Sequence, residues 1–243
     1  MKFGVAMISQ NTQDYLEMAL SSVLTWADWV EIVDGKSTDK SLDIINSFND
    51  ERIFVTQHLY NQSDPMMNGK QRNYLLDILK EKHMGDWCLV IDPDEVVSND
   101  GARFRELMDQ DKMEVLNVHM RHIVYHLGLE DATVQTHWTL GRCFKITPYL
   151  SYPEIEHPVL QSNHKMSYNY EGGPVLWHLS LAKQMFDILK KYKKDLRVST
   201  NTHQPEFLRQ WYERLLFGQY SVKPITDTHN YPLSIKKYFM FEQ

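Results

Sequence analysis

The chain has 243 residues, which is long for a minimal domain and short for two full ones at about 150 residues per domain. We therefore expect one compact domain with an elaborated end. Its 26 Lys and Arg residues against 32 Asp and Glu residues give a net charge of −6, so there is no positive excess to neutralise a nucleic-acid backbone. The 42% of hydrophobic residues excludes a disordered chain. The chain contains few glycines and no glycine-rich phosphate loop.

The two cysteines, Cys88 and Cys143, lie far apart and form neither a disulfide framework nor the paired spacing of a metal knuckle. Cys88 lies in an apolar run, where it is interpreted as a small buried hydrophobic residue. The apolar amino terminus turns polar at Ser9, too early for a signal peptide, and no stretch reaches the length of a membrane span. We expect a soluble protein of a reducing compartment, the cytoplasm.

Roughly the first hundred residues alternate between short apolar runs and segments with helical spacing, which predict strands and helices in turn. The predicted strands are residues 3–8, 29–33, 53–55 and 87–91. Helices are predicted between them over about residues 15–26, from residue 39, and over residues 74–79. Four βα units with mostly apolar strands predict a largely parallel sheet covered by helices on both faces. The expected fold class is therefore α/β, of a nucleotide-binding type.

From residue 114 the pattern predicts strands without intervening helices, over residues 114–125, 133–139, 142–146 and 173–178. These strands would extend the same sheet in a mixed or antiparallel way. Two amphipathic helices are predicted over about residues 180–196 and 205–218. The first is rich in lysine, so one interpretation is peripheral contact with a membrane surface that carries a lipid-linked acceptor. The other is that its apolar stripe packs on the sheet and its lysines are solvated.

In open parallel sheets, ligands bind at the carboxyl ends of the strands. That rule selects Ser9, Gln10 and Asn11 after the first strand, residues 34–39 after the second, and residues 92–95 after the fourth.

The segment Asp92-Pro93-Asp94-Glu95 carries three carboxylates, whose mutual repulsion a cation would relieve. A hard divalent ion such as Mg²⁺ or Mn²⁺, shared with a phosphate-bearing substrate, is one interpretation. The alternative is helix capping, because Asp94 and Glu95 precede a helix predicted around residues 100–111.

The segments 5–11, 19–23 and 31–39 resemble the amino-terminal half of family 2 glycosyltransferases of the GT-A fold, a Rossmann-like mixed sheet flanked by helices. Residues 85–95 resemble the metal-binding DxD segment of that family, in the subgroup where this segment has the sequence Asp-Ala-Asp-Glu (DADE). The order and spacing of these pieces agree over about residues 3–100. The resemblance implies one GT-A domain, with a nucleotide-sugar half (1–100), an acceptor-side half that completes the sheet (101–178) and a helical carboxyl-terminal extension (179–243).

The resemblance also assigns roles to single residues. It implies that Asp34 contacts the nucleotide base, that Asp92 lies near the ribose and the metal, and that Asp94 is the principal metal ligand. Arg72 would face the diphosphate, which suits the two-pronged guanidinium, and Lys70 lies beside it. A solvated helix face is the alternative for Lys70 and Arg72. Ser9, Gln10 and Asn11 would complete the donor site.

Further along, residues 141–145 and 152–157 resemble the subgroup's segment that leads to a His-Glu pair. Pro158 replaces that Glu, so the acidic role would fall to Glu154 or Glu156. Residues 175–178 resemble a late apolar strand whose final His reaches the metal. His178 is thus a candidate third ligand, which favours Mn²⁺ over Mg²⁺; a hydrogen-bonded structural histidine is the alternative.

Two positions depart from the family pattern. Lys36 stands where the family usually has Gly before Ser-Thr-Asp, and Thr12 stands where the subgroup often has Glu. The first departure affects the loop near the base, and the second affects an acidic contact after the first strand. The identity of the donor is therefore less well defined than the fold.

The reaction implied is transfer of a sugar, with inversion, from a nucleotide diphosphate sugar to a hydroxyl of a glycan, lipid-linked or protein-linked acceptor. A UDP-sugar is the favoured donor. Glu154 and Glu156 share one face of an extended chain, so either could accept the acceptor proton. Surface charge at a strand edge is the alternative.

Three other functions are considered. A haloacid dehalogenase-like phosphohydrolase also uses Asp-x-Asp, but after its first strand. A zinc site could be built from His119, His122 and His126, although a strand over residues 115–125 would point His119 away from the other two. A catalytically silent module would bind nucleotide sugar without turnover.

Overall fold

A computed structural model describes residues 1–61, 63–109, 115–124, 129–131, 137–155, 159–162, 168–181, 222–225, 232 and 235. The strands are β1 (Phe3–Ser9), β2 (Val30–Asp34), β3 (Ile53–Gln57), β4 (Trp87–Val90), β5 (Glu95–Val97), β6 (Val115–Val124), β7 (Leu129–Asp131), β8 (His137–Lys145), β9 (Tyr168–Asn169), β10 (Val175–Leu181) and β11 (Val222–Pro224). The helices are α1 (Leu16–Val23), α2 (Ser41–Ser47), α3 (Met67–Lys82) and a 3₁₀-helix (Gly101–Asp109). In this described part, no helix is long and apolar enough to cross a membrane.

The first four strands form the parallel half of the sheet, in the order β3-β2-β1-β4. β1 lies between β2 and β4 and is almost wholly buried. Successive side chains of a strand point to opposite faces. Phe3, Val5 and Met7 belong to the core cluster that contains buried residues of α1, α2 and the 3₁₀-helix, whereas Ala6 belongs to the cluster that contains buried residues of α3. Helices therefore cover both faces, which is why these strands are continuous apolar runs rather than alternating ones.

The second half of the sheet is mixed. β8 pairs antiparallel with β4 and with β6, and β10 runs parallel to β6 and antiparallel to β5. β5 follows β4 almost directly, so the β5–β10 pair brings the end of β10 back to the segment after β4. The predicted α/β class, with a mixed sheet flanked by helices, is confirmed.

Several predicted boundaries differ from the observed ones. The strands predicted over 133–139 and 142–146 are parts of one strand, β8. Gly141 has a φ of 63° in the middle of β8, where the register of β6 against β8 shifts. At this bulge the sequence pattern predicts a break between two strands, because the extra residue disrupts the alternation of side chains. The helix predicted around 100–111 is the 3₁₀-helix.

The predicted lysine-rich helix begins inside β10, which runs to Leu181, and its remaining residues lie outside the described part of the chain. The helix predicted over 205–218 lies wholly outside it, as does the membrane contact interpreted from the lysines. In the extension after residue 178, β11 pairs antiparallel with β7.

Candidate functional site

The carboxyl ends of β1, β2 and β3 bring three polar residues into one row. Ser9 is paired with Asp34, and Asp34 with Gln57, in the parallel register of these strands. The side chain of Asp34 is fully buried and accepts hydrogen bonds from the Ser37 N–H at 3.0 Å, the Ser37 hydroxyl at 2.5 Å and Nε2 of Gln57 at 3.3 Å. The residue predicted to contact the nucleotide base thus lies at this edge of the sheet, at the base of the 35–39 loop.

The residues after β1 hold that loop. Nε2 of Gln10 donates to the carbonyl oxygens of Gly35 at 2.7 Å and Tyr60 at 3.1 Å. Oδ1 of Asn11 accepts from the backbone N–H of Thr38 at 2.8 Å, and the Ser9 hydroxyl lies 2.7 Å from that of Thr12. The structure therefore brings the predicted Ser9, Gln10 and Asn11 beside Asp34, where their side chains bind the protein's own loops.

Two residues at this edge have left-handed backbone conformations. The φ angles are 54° at Asn11 and 63° at Lys36. Asn adopts this region more readily than most residues do, but Lys does not. The departure from Gly at position 36 therefore leaves a residue with a Cβ atom in a conformation that favours glycine.

Asp92, which follows β4, lies between two arginines. Nη2 of Arg72, on α3, donates to Oδ1 of Asp92 at 2.7 Å, and Nη2 of Arg142, on β8, donates to Oδ2 at 2.9 Å. Arg142 also donates to the buried carboxylate of Glu95 at 3.1 Å, and Glu95 accepts from the Asp92 N–H at 2.8 Å. Two positive and two negative side chains thus balance one another, so the carboxylate repulsion expected from the sequence is largely relieved within the chain.

Burial and charge act in opposite directions on this network. Burial alone raises the pKa of Asp92, but the charges of Arg142 and Arg72 outweigh it and hold that pKa well below its ordinary value. Burial raises the pKa of Glu95 to about 7, although Arg142 opposes the increase. Arg142 pays a desolvation penalty, yet the carboxylates of Asp92 and Glu95 keep its pKa above the ordinary value. Asp92 therefore remains ionised as the centre of an internal ion-pair network.

The sequence patterns assign no role to Arg142, although it lies in the segment 141–145. A signal for it exists, because an arginine inside an apolar strand needs a partner for its charge. That partner, Asp92, lies 50 residues away in sequence, and no local pattern identifies it.

Asp94 and His178 face each other across the β5–β10 pair. Oδ2 of Asp94 lies 3.7 Å from Nε2 of His178, and the Leu179 N–H donates to the Asp94 carbonyl oxygen at 2.8 Å. The other ring nitrogen of His178, Nδ1, lies 2.9 Å from Nδ1 of His122 on β6. Two of the three predicted metal ligands, Asp94 and His178, are therefore neighbours, whereas the oxygens of the third, Asp92, bind arginines.

The alternative zinc site gains no support. His119 and His122 lie on opposite faces of β6, as the strand prediction required, and His126 lies outside the described residues. Among the side chains that the structure describes, no three His, Cys, Asp or Glu residues are grouped as in a metal site. Burial raises the pKa of the Cys88 thiol well above its ordinary value, as suits a buried structural residue.

The predicted acidic residues are only partly described. Glu154 is exposed and lies against the first turn of α3, where a Cβ atom on Gly69 would come within 2.6 Å of the Glu154 Cα. Glu156 lies outside the described residues. Lys70, on the same turn, forms an ion pair with Asp64 at 2.7 Å. The roles predicted for Glu154, Glu156 and Lys70 stay predictions.

No protein-family model matches the chain, and no curated protein matches it in sequence. Among solved structures, residues 1–349 of S. aureus TarS match it with a TM-score of 0.51 and 17% identity, covering 89% of this chain and 69% of that one. The same fragment in complex with UDP gives a TM-score of 0.51 and 17% identity, with coverages of 89% and 71%. Glucosyl-3-phosphoglycerate synthase from Mycobacterium tuberculosis, in complex with Mn²⁺, UDP-glucose and phosphoglyceric acid, gives 15% identity and a TM-score of 0.36, covering 49% and 44%. The likeness to TarS shows that the fold is of the GT-A type.

Proposed function

We propose that this chain is a metal-dependent glycosyltransferase that moves a sugar from a nucleoside diphosphate sugar to a hydroxyl group of an acceptor. The observation that carries the proposal is the Asp94–His178 pair, with 3.7 Å between carboxylate and imidazole, beside the carboxyl ends of the parallel strands of a GT-A type fold. The resemblance of residues 3–100 to family 2 enzymes supports the same reaction. The complex of TarS with UDP supports a UDP-sugar as the favoured donor.

The Asp94–His178 pair has the chemistry of a divalent cation site. A separation of 3.7 Å is too long for a hydrogen bond and accommodates an ion bonded at about 2.1 Å to each group. One carboxylate oxygen and one imidazole nitrogen suit Mn²⁺, and Mg²⁺ is the alternative. A bound ion would neutralise the negative charge that develops on the leaving diphosphate. The carboxylate oxygens of Asp92 accept hydrogen bonds from Arg72 and Arg142, and the role of Asp92 as a metal ligand stays a prediction.

The remaining donor contacts are assigned by resemblance. The resemblance to family 2 enzymes assigns Asp34, at the end of β2, to the base and Asp92, after β4, to the ribose. Arg72 and Arg142 place two positive charges around Asp92. Asp92 and Glu95 balance these charges, and Asp64 pairs with Lys70. The diphosphate contacts of Arg72 and Lys70 are therefore proposed from the resemblance to family 2 enzymes.

The transfer step needs one proton acceptor. The acceptor oxygen forms a bond to the anomeric carbon while the bond from that carbon to the diphosphate oxygen breaks, and the hydroxyl proton passes to a carboxylate. Attack opposite the leaving group inverts the anomeric centre. Glu154 or Glu156 is proposed as that base, because the Glu154 segment packs on the helix that carries Arg72. The acceptor is a glycan, lipid-linked or protein-linked hydroxyl.

The phosphohydrolase alternative requires Asp92 to act as a nucleophile. Both of its carboxylate oxygens accept hydrogen bonds from guanidinium groups, which lowers their nucleophilicity. This geometry favours the transferase.

The test is calorimetry with UDP and GDP, with and without Mn²⁺, on the wild-type chain, Asp94→Ala and Asp77→Ala. Asp77 is an exposed carboxylate on α3 and serves as the matched control. We expect Mn²⁺ to strengthen UDP binding in the wild type and in Asp77→Ala, but not in Asp94→Ala. Unchanged affinity in Asp94→Ala would sink the metal proposal. A panel of nucleotide sugars, scored for slow hydrolysis, then identifies the donor, and binding without turnover would indicate the silent module.

A further inference from the structure

His122 and His178 form a pair across two parallel strands. The register of β6 and β10 sets His178 directly beside His122, so both side chains lie on the same face of the sheet. Their Nδ1 atoms are 2.9 Å apart, and the ring planes meet at 80° with 5.0 Å between centroids. The contact is therefore a hydrogen bond between ring nitrogens and not a stacking interaction.

A hydrogen bond between two imidazole nitrogens requires one N–H group and one lone pair. His178 can offer the lone pair of Nε2 to a cation at Asp94 only when its own proton is on Nδ1. That proton then points to Nδ1 of His122, which must accept it. The two contacts of His178, 2.9 Å to His122 and 3.7 Å to Asp94, are thus compatible with a metal ion in one arrangement of protons only.

We propose that His122 is a positioning residue for the metal site: it accepts the Nδ1–H of His178 and holds His178 in the tautomer whose Nε2 binds the cation. This inference rests on the proposed function, because it assumes that Asp94 and His178 bind that cation. Groups that orient a metal-bound histidine in this way set both the ring orientation and the metal affinity.

The surroundings of His122 suit a fixed support. Its neighbour Ile123 is fully buried, as are Trp177 and Leu179 on either side of His178. The Leu179 N–H binds the Asp94 backbone, so the strand that carries His178 is also fastened to the segment that carries the carboxylate. Both histidines are held by paired strands rather than by loops, which gives the site the precision that a metal needs.

The test uses two substitutions that separate the ring of His122 from its acceptor atom. His122→Phe keeps a ring and lacks an acceptor. His122→Asn lacks the ring, but its Oδ1 can occupy the place of Nδ1 and accept the same proton. His119→Asn, on the opposite face of β6, is the matched control. Mn²⁺ binding in the presence of UDP is measured from the electron paramagnetic resonance signal of free Mn²⁺.

We expect His122→Phe to weaken Mn²⁺ binding about 10–100-fold, and His122→Asn to restore most of the affinity. Equal affinity in His122→Phe and the wild type would overturn the proposal, as would an equal loss in Phe and Asn variants, which indicates a packing role. A wild-type chain that binds no Mn²⁺ would instead overturn the proposed function and, with it, this inference.

A second measurement needs neither metal nor a variant. Long-range proton–nitrogen correlation spectra of the metal-free wild-type chain report which nitrogen of each histidine carries the proton. We expect His178 to be protonated on Nδ1 and His122 on Nε2. A proton on Nε2 of His178 would contradict the role of His122 even if Mn²⁺ binds.

Discussion

Asn73 and Tyr152 exchange two hydrogen bonds. Nδ2 of Asn73 donates to the Tyr152 carbonyl oxygen, and the Tyr152 N–H donates to Oδ1 of Asn73, each at 2.8 Å. The Tyr152 side chain is buried, with its ring centroid 5.9 Å from the guanidinium carbon of Arg72. One amide on α3 therefore fastens the chain that leads to Glu154, and it does so one residue away from an arginine that binds Asp92.

We expect Asn73→Ala to lower the free energy of unfolding by about 1–3 kcal/mol, because two backbone groups of a partly buried segment lose their partners. Transfer should fall as well, since Glu154 is no longer held beside α3. Urea unfolding and the initial transfer rate measure the two effects. Asn46→Ala, at an exposed site on α2, should change neither. An unaltered unfolding curve for Asn73→Ala would show that the exchanged bonds add little.

The left-handed backbone at Lys36 predicts an unusual pattern of substitutions. Lys36 is exposed and has a φ of 63°, a conformation that costs a residue with a Cβ atom about 1 kcal/mol. Lys36→Gly removes that strain but adds chain entropy to the unfolded state, so its melting temperature should equal or slightly exceed that of the wild type. Lys36→Val should melt several degrees lower, since β-branched residues tolerate this region worst. Thermal unfolding of both variants tests this, and a more stable Val variant would contradict it.

The parts of this molecule that the sequence predicts are those governed by local patterns. β1, β2 and β4 are buried on both faces, so their continuous apolar runs mark them directly, and their ends mark Asp34 and Asp94. The bulge at Gly141 breaks the alternation that identifies a strand, so the sequence pattern predicts two strands where the structure has β8 alone. The left-handed backbone at Gly141 thus interrupts the two-residue periodicity by which a strand is identified in the sequence.

The contacts that define the site are not local. Arg142 binds Asp92 over 50 residues, and His122 meets His178 over 56. Which strands lie side by side, and in which register, decides both contacts, and that is a property of the assembled sheet. The sequence therefore predicts which residue types end the strands, but not that two arginines would take the oxygens of Asp92.

A pH effect is expected at the start of β3. Arg52 donates from Nε and Nη2 to the two oxygens of Asp50, at 2.9 and 2.6 Å, and from Nη1 to the Ala27 carbonyl oxygen at 3.0 Å. The hydrogen bonds from Arg52 lower the pKa of Asp50 from its ordinary value of 3.8 to about 2. Because the folded-state pKa is the lower one, this stabilisation is fully present above about pH 4 and is lost as the pH falls towards 2.

We therefore expect Asp50→Asn to lower the free energy of unfolding by about 1 kcal/mol at pH 7. This value is reduced for solvent screening because the Arg52 side chain is 37% exposed. The difference between the two chains should shrink as the pH approaches 2. Urea unfolding across this range measures it, with Asp43→Asn, an exposed carboxylate on α2, as the control. A difference that grows as the pH falls would contradict the assignment.

Arg142 should be the most sensitive position of the ion-pair network. Its side chain is 18% exposed and forms an ion pair with Glu95, whose side chain is 1% exposed. Arg142→Met removes the charge that opposes the effect of burial on Glu95, whose pKa is already about 7, so Glu95 must stay charged without Arg142 or take up a proton. It also leaves Asp92 with Arg72 alone. Removing one partner of a buried ion pair costs about 3–5 kcal/mol, so urea unfolding of Arg142→Met should show a loss of that order.

The same reasoning predicts a rescue. In Arg142→Met combined with Glu95→Gln, the buried carboxylate becomes a neutral amide whose carbonyl oxygen can still accept from the Asp92 N–H. The double variant should therefore have a larger free energy of unfolding than Arg142→Met alone. By itself, Glu95→Gln should lower the free energy of unfolding, because it removes a charged partner of Arg142. If Arg142→Met is insoluble, recovery of soluble protein in the double variant serves as the readout. Equal or lower stability of the double variant would mean that Arg142 acts through packing and not through the charge on Glu95.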